Sequence, residues 1–350
     1  MKKGYIILEN GQIFEGELFG YEKEVICELV FTTSMVGYNK LLTDPTNYGQ
    51  AVLQTFPMIG NYGTVTEDAE SDNVWIGAYI VKELCDEPSN FRCEGKLEDY
   101  LVANKIVGIS GADTREITRV LRDNGTMNAL ITTNKDGADL AAIKDHAVKG
   151  AVAAVSTKEV KTYKADGAKY KVAMIDYGEK RSTIAMFNDK GCDVTLYPYN
   201  TKAEDILAEK YDGLVLSGGP GDPKENVECI EEIKKLCGKL PIFGMGLGHQ
   251  MFALALGADT EKLPYGHRGA NQPVTMLETG RTYITSQNHG YAVKSDSLPE
   301  KLEVSFVNAN DKTCEGISCK CGSFSVQFAP EACGGPHDTS FLIDKFIKLM

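Results

Sequence analysis

No apolar run in this chain approaches the roughly 20 residues that a membrane-crossing helix needs. The start, MKKGYIILENGQIFEG, carries lysines, but its apolar stretch is too short for a secretory leader and reads as a strand and a turn. Positive charge is scarce as well. A net charge of −12 lacks the basic footprint of a general nucleic-acid binder and fits solubility or an acidic docking face. There is no G-x-x-x-x-G-K-[ST] phosphate loop, and Gly244-Met-Gly246 fails as a dinucleotide fingerprint because His249 stands at the third glycine position. The chain has ten cysteines, yet Cys314, Cys319, Cys321 and Cys333 follow no common zinc spacing. Free thiols, a cytoplasmic location and no bound metal are therefore expected.

What is present divides the 350 residues into two domains. Residues 1–150 read as a β-rich α/β domain, with strands at Tyr5–Leu8 and Val25–Phe31 separated by Gly, Asn and Pro turns. A helix begins after Asp113, which with Glu116 makes a D-x-x-E start signal, and it stops near Asn124-Gly125. Its arginines 115, 119 and 122 read as a solvated face. Residues 151–168 are small and charged, with little apolar pattern, and read as a linker.

Residues 169–350 open with alternating strands and helices: strands at Lys171–Asp176, Asp193–Tyr197, Gly213–Ser217 and Pro241–Met245, with helices between them. This order predicts a doubly wound parallel sheet covered on both faces. Ligands of such sheets sit beyond the carboxyl ends of the strands. Three loops there carry glycine: Tyr177-Gly178-Glu-Lys-Arg181, the SGGPGDP run at 217–223, and Gly246-Leu-Gly-His-Gln250. Glycines at three successive strand ends imply a close approach of backbone to a ligand. The stretch FGMGLGHQMFALALGA, from Phe243 to Ala258, reads as strand, sharp turn and buried helix, the pedestal on which many hydrolases mount a nucleophile. Amides at the helix start suit an oxyanion, which fits acyl transfer. Acyl transfer by this route needs a thiol or hydroxyl at the elbow and a base beside it. The elbow residue here is Gly246, with no side chain.

The elbow, SGGPGDP and the downstream NHGYAV resemble triad-type (class I) glutamine amidotransferases. FTTSMVGYNKLLTDPTNYGQ, FPMIGNYG, SNFR, DTREITRVLRDNG and GHRGANQPV extend the resemblance over almost the whole chain to the carbamoyl phosphate synthetase small-chain family. The resemblance implies a subunit that hydrolyses glutamine and passes ammonia to a large chain, which makes carbamoyl phosphate for pyrimidine and arginine synthesis. It implies no cofactor in this chain, with ATP and Mg on the large partner chain, and no nucleic-acid or membrane partner. Residue by residue, it assigns glutamine binding to Ser34, Gly219, Gly221, Leu247, Gln250, Asn288, Gly290 and Tyr291, and the third triad position to Glu331 in SVQFAPEA. The family's nucleophilic cysteine corresponds to Gly246 and its histidine base to Ala329.

The leading expectation is a small chain whose own glutaminase is lost, leaving a structural or glutamine-binding role while the large chain uses free ammonia. Two other readings stand beside it. Gly246 and Ala329 are introduced substitutions in an otherwise active glutaminase subunit, or the chain is a non-catalytic glutamine-sensing protein. No substitute group is expected: Cys333 is not aimed by the elbow geometry, and His249, in the first turn beyond the elbow, reads as structural. His267, His289 and His337 read as loop or core histidines.

Overall fold

A computed structural model describes residues 2–332 and 334–350. The chain forms two compact units, Met1–Lys149 and Gly150–Met350. Among the described residues, no helix is long and apolar enough to cross a membrane.

The first unit is a closed barrel. Its strands follow one another around the wall in the order Lys3–Leu8, Ile13–Gly20, Val107–Ser110, Ala78–Ile80, Gln50–Gln54, Val25–Thr32 and Met127–Thr132, which returns to the first. Side chains of a strand alternate between faces, and here both faces are apolar. Leu29, Ala51, Leu53, Ala78 and Ile80 join one core with Ile117 and Leu121 of the helix Thr114–Asn124. Their neighbours Val30, Val52 and Tyr79 pack outward with Leu42, Leu97 and Leu101, which lie on two short helices. Closure leaves no edge to pair with another chain. The helix at 114–124 starts as its sequence predicts: the Asp113 carboxylate accepts the Glu116 amide at 2.9 Å. Arg119 meets Glu116 at 3.0 Å and Arg122 meets Asp123, both in solvent, as a solvated face requires.

The second unit is built on one sheet. Its parallel part runs Cys192–Pro198, Tyr170–Asp176, Gly213–Leu216, Ile242–Met245 and Phe324–Val326. Period-two alternation sends Ala173, Ile175, Leu214 and Leu216 to one face, under the helices Ala203–Ala208, Val227–Leu236 and Leu247–Ala255. It sends Val172, Met174 and Val215 to the other, under Arg181–Asp189 and Phe341–Ile347. The sheet is thus doubly wound, but its remainder is antiparallel. Beyond Phe324–Val326 come Cys314–Cys319, the long hairpin of Thr260–Met276 with Thr282–Val293, and Leu302–Asn308.

The stretch read as a linker carries structure of its own. Residues Ala151–Val155 are helical, and Lys161–Tyr163 pairs antiparallel with Cys192–Pro198 as an edge strand. All three residues of that strand are exposed, so no apolar alternation marks it in the sequence. It is held by polar contacts instead, including Lys164 Nζ to Asp193 at 2.8 Å and the Asn188 amide to the Tyr163 carbonyl at 3.2 Å.

Candidate active site

Neighbouring parallel strands bring four chain segments to one edge. Strand 170–176 leads into Tyr177-Gly178-Glu179-Lys180, strand 213–216 into Ser217-Gly-Gly-Pro-Gly221, strand 242–245 into Gly246, and strand 324–326 into Gln327-Phe-Ala-Pro-Glu331. Hydrogen bonds lock them to each other. The Tyr177 amide donates to Ser217 Oγ at 2.9 Å, the Gly248 amide to the Ser217 carbonyl at 2.9 Å, and the Gly246 amide to the Val326 carbonyl at 3.0 Å.

Gly246 caps the helix Leu247–Ala255 with φ 51° and ψ −115°, a conformation that side-chain-bearing residues adopt only under strain. The strained elbow is therefore formed although the residue at its tip has no side chain. Room for one exists: a Cβ built on Gly246 would lie 3.4 Å from Gly218 Cα and 4.0 Å from the Gln327 carbonyl oxygen, ordinary contact distances. Two turns of helix are sunk into the core below. Met251 and Phe252 have no exposed surface, and each contributes roughly 1.5–3 kcal/mol by burial. Seating the helix this deeply needs Gly248, whose Cβ would fall 2.3 Å from the Leu216 carbonyl oxygen. The Leu247 amide, first of the helix, has no acceptor within it and stands beside the elbow as an oxyanion donor would.

The residues assigned to glutamine binding fall into two places. Gly219, Gly221, Leu247, Gln250, Asn288, Gly290 and Tyr291 belong to the second unit, and Ser34 to the first. Gly219 packs against Leu247, since a Cβ on it would lie 3.0 Å from Leu247 Cδ2. Gln250 is buried and donates from Nε2 to the Tyr291 carbonyl at 2.8 Å and to Gln327 Oε1 at 2.9 Å. Gly221 lies by Ala151, where a Cβ would be 3.4 Å away. Asn288 and Gly290 sit on strand 282–293, opposite Arg268 and its neighbours. Ser34 follows strand 25–32, with its amide on Thr32 Oγ1 at 3.3 Å and its carbonyl accepting Gln54 Nε2.

Ala329, at the base position, bridges to Ser286, donating its amide to the Ser286 carbonyl at 3.0 Å. Two residues on, Glu331 is buried and paired with Lys180. Glu179 stands in the same field. Burial pushes its carboxyl up to about 8, opposed by a bond from Thr183 and reinforced by the charges of Asp176 and Glu331. The residue is half-buried as a whole, but Oε2 is sealed from solvent. Asp176 is also raised by burial, against three amides that favour its charge, from Thr157, Glu179 and Gly178 at 2.7–2.9 Å. The Glu331 carboxylate, to which the resemblance assigns the third triad position, is thus paired with the Lys180 ammonium group.

His249 is a core residue: fully buried, bonded through Nδ1 to Ser325 Oγ at 2.8 Å, and pushed by burial to about 3. It is neutral at physiological pH and is spent on the strand that carries Ser325. Cys333 lies outside the described residues. Glu179 and Lys180 lie in the strand-end loop 177–181 marked by the sequence, though neither was given a role, and Gln327, which follows a parallel strand end in the same way, was not singled out. The edge therefore offers amide donors, a carboxamide pair and a masked carboxylate, with no side-chain nucleophile at the elbow tip and no imidazole at 329.

The family described as carbamoyl-phosphate synthase small chain, CPSase domain, matches residues 6–131, and that described as glutamine amidotransferase class-I matches residues 173–349. The chain is 49% identical over 351 aligned residues to the carbamoyl phosphate synthase small chain of Clostridium perfringens, covering 99% of each. It is 44% identical to the carbamoyl phosphate synthase pyrimidine-specific small chain of Bacillus subtilis, covering 99% of this chain and 96% of that one. Among solved structures it is similar to a glutamine amidotransferase from Thermotoga maritima, at 19% identity and a TM-score of 0.38, over 47% of this chain and 76% of that one.

Proposed function

The chain belongs to the carbamoyl phosphate synthase small-chain family, and on that premise we propose that it is a small subunit that has lost its own glutamine hydrolysis. A small chain implies a large-chain partner. The proposal is that the large chain, with its ATP and Mg, draws ammonia from solution, while this subunit supplies scaffold and a glutamine pocket. The name of the Bacillus subtilis relative supports pyrimidine synthesis as the pathway served.

The observation that carries this reading is the pairing of an intact elbow with absent reacting groups. Gly246 holds φ 51° with space for a side chain, and Ala329 presents a methyl group where a base is required. Thioester formation needs a sulfur at the first and a proton acceptor at the second. Oxyanion donors alone leave a small remainder of the rate.

The test is carbamoyl phosphate synthesis by the reconstituted pair of chains. Ammonia should sustain the reaction, and glutamine in its place should support about 10⁴-fold less or lower. Glutamine-dependent synthesis at a rate comparable to the ammonia-dependent one would refute the proposal. Calorimetry with glutamine on the small chain then separates scaffold from pocket: heat of binding without turnover supports a ligand-binding subunit, and its absence a purely structural one.

A further inference from the structure

Away from the elbow, three buried side chains from three strands converge: His267, His289 and Glu315, with one ligand atom of each lying within 4.8 Å of the others. His267 and His289 face each other across the hairpin as direct register partners, rings 5.0 Å apart and nearly perpendicular. Glu315 comes from the adjoining strand 314–319 and has no exposed surface.

Hydrogen bonds outside the cluster fix how both imidazoles are presented. Asp311 Oδ2 lies 2.8 Å from His267 Nε2, so that nitrogen carries a proton and Nδ1 turns inward. His267 Nδ1 is buried, has no hydrogen-bond partner and lies 3.3 Å from Glu315 Oε1. The Tyr291 carbonyl accepts from His289 Nδ1 at 2.8 Å, and Nε2 points inward, 3.0 Å from the Gln287 carboxamide. Glu315 Oε2 is likewise buried without a partner, while Oε1 accepts from Asn308 at 3.1 Å. Gln287 Nε2 reaches Thr285 Oγ1 at 3.1 Å and the same side chain also bonds Glu315, so its carboxamide lies in the cluster.

We propose that His267 Nδ1, His289 Nε2 and the Glu315 carboxylate form a structural site for a divalent transition-metal ion of the zinc class, with Gln287 Oε1 as a neutral fourth donor. Carboxylate and carbonyl acceptors behind each ligating histidine are the usual second layer of such sites. Two imidazoles and a carboxylate suit zinc among the divalent ions. Glu315 and Asp311 carry the two negative charges that balance the ion. Arg268 pairs with Asn288 next to the cluster, and its Nη1 is engaged with the Tyr265 carbonyl at 2.7 Å. Ligand atoms around tetrahedral zinc are roughly 3.3 Å apart, given bonds of about 2.0–2.1 Å, so the three donors close inward on binding. The ion would tie strands 260–276, 282–293 and 314–319 together beneath Asn288, Gly290 and Tyr291. The site was invisible in the sequence because its donors lie far apart along the chain and share no spacing rule.

The experiment uses the full chain, stripped with a chelator and then exposed to zinc or cobalt(II). One zinc per chain should survive gel filtration, and Tm should rise with free zinc by mass action. Cobalt should give a visible ligand-field spectrum without thiolate charge transfer. Glu315→Gln, which keeps the shape of the side chain, should weaken zinc binding at least tenfold. Cys319→Ser with Cys321→Ser, which removes a surface thiol pair 2.7 Å apart, should leave it unchanged. Two results overturn the site: no zinc retained by the unaltered chain, or zinc lost with the thiols and indifferent to Glu315→Gln. In either case the cluster is a buried polar network in which His267 Nδ1 faces Glu315 Oε1 at 3.3 Å.

Discussion

The elbow and the histidine cluster lie in one domain and are opposites. At Gly246 the backbone takes a strained turn of the kind that displays a side chain, and no side chain is there. At His267, His289 and Glu315 the side chains are present in buried, oriented form, and the elbow chemistry does not use them. The difference shows where each kind of information is held. The elbow is fixed by its surroundings: Gly246 is bonded to Val326, Gly248 to Ser217, and the helix below is buried. Such a frame holds its shape without a side chain at residue 246. The histidine cluster is framed by the hairpin register, but its chemistry lies in the side chains, so each substitution within it removes part of the arrangement itself.

That contrast can be broken by attacking the frame. Lys180→Met should do so most strongly. Glu331 would be left buried without its ammonium partner, and breaking a buried pair costs about 3–5 kcal/mol. A Tm change within error would mean that the pair is solvated and the base loop is not held by it.

Glu179→Gln sharpens the picture through pH. The folded chain holds the Glu179 proton to about pH 8, whereas the ordinary value is 4.5. The folded state therefore binds more protons between these values. The contribution to stability is full below about 4.5 and is lost as pH rises through 8. Removing the carboxyl should flatten the decline of unfolding free energy over that window, by a few kcal/mol at its alkaline end. An unchanged pH profile would show that water reaches the carboxyl.

A smaller effect separates the two glycines of the elbow. Gly248→Ala places a methyl 2.3 Å from the Leu216 carbonyl oxygen and should cost about 3 kcal/mol in chemical denaturation, whereas Gly246→Ala meets only backbone strain, about 1 kcal/mol. Equal costs would mean that the helix shifts freely on its strand, against the burial of Met251 and Phe252.

Much of this arrangement was legible in the sequence. Strand-end glycines located the edge, and Asp113 located the start of the helix Thr114–Asn124, which its carboxylate caps by accepting the Glu116 amide. What stayed hidden depends on contacts between distant segments. The antiparallel half of the sheet is assembled from residues 260–319, whose pairing no local periodicity records. Lys161–Tyr163 is an edge strand with every side chain in water, so it looks like a linker. The Lys180–Glu331 pair joins ends of different strands, and the buried orphans His267 Nδ1 and Glu315 Oε2 are orphans only in three dimensions.

The central claim is that glutaminase chemistry fails here for want of two side chains on an otherwise formed pedestal. The most direct measurement is glutamine turnover by four proteins: the unaltered chain, Gly246→Cys, Ala329→His, and the two changes together, each with and without large chain. The unaltered chain and both single variants should remain at background, and the double variant should hydrolyse glutamine through a covalent glutamyl adduct trapped on residue 246. Turnover with an adduct on the unaltered chain, or an inert double variant that still folds, would contradict it.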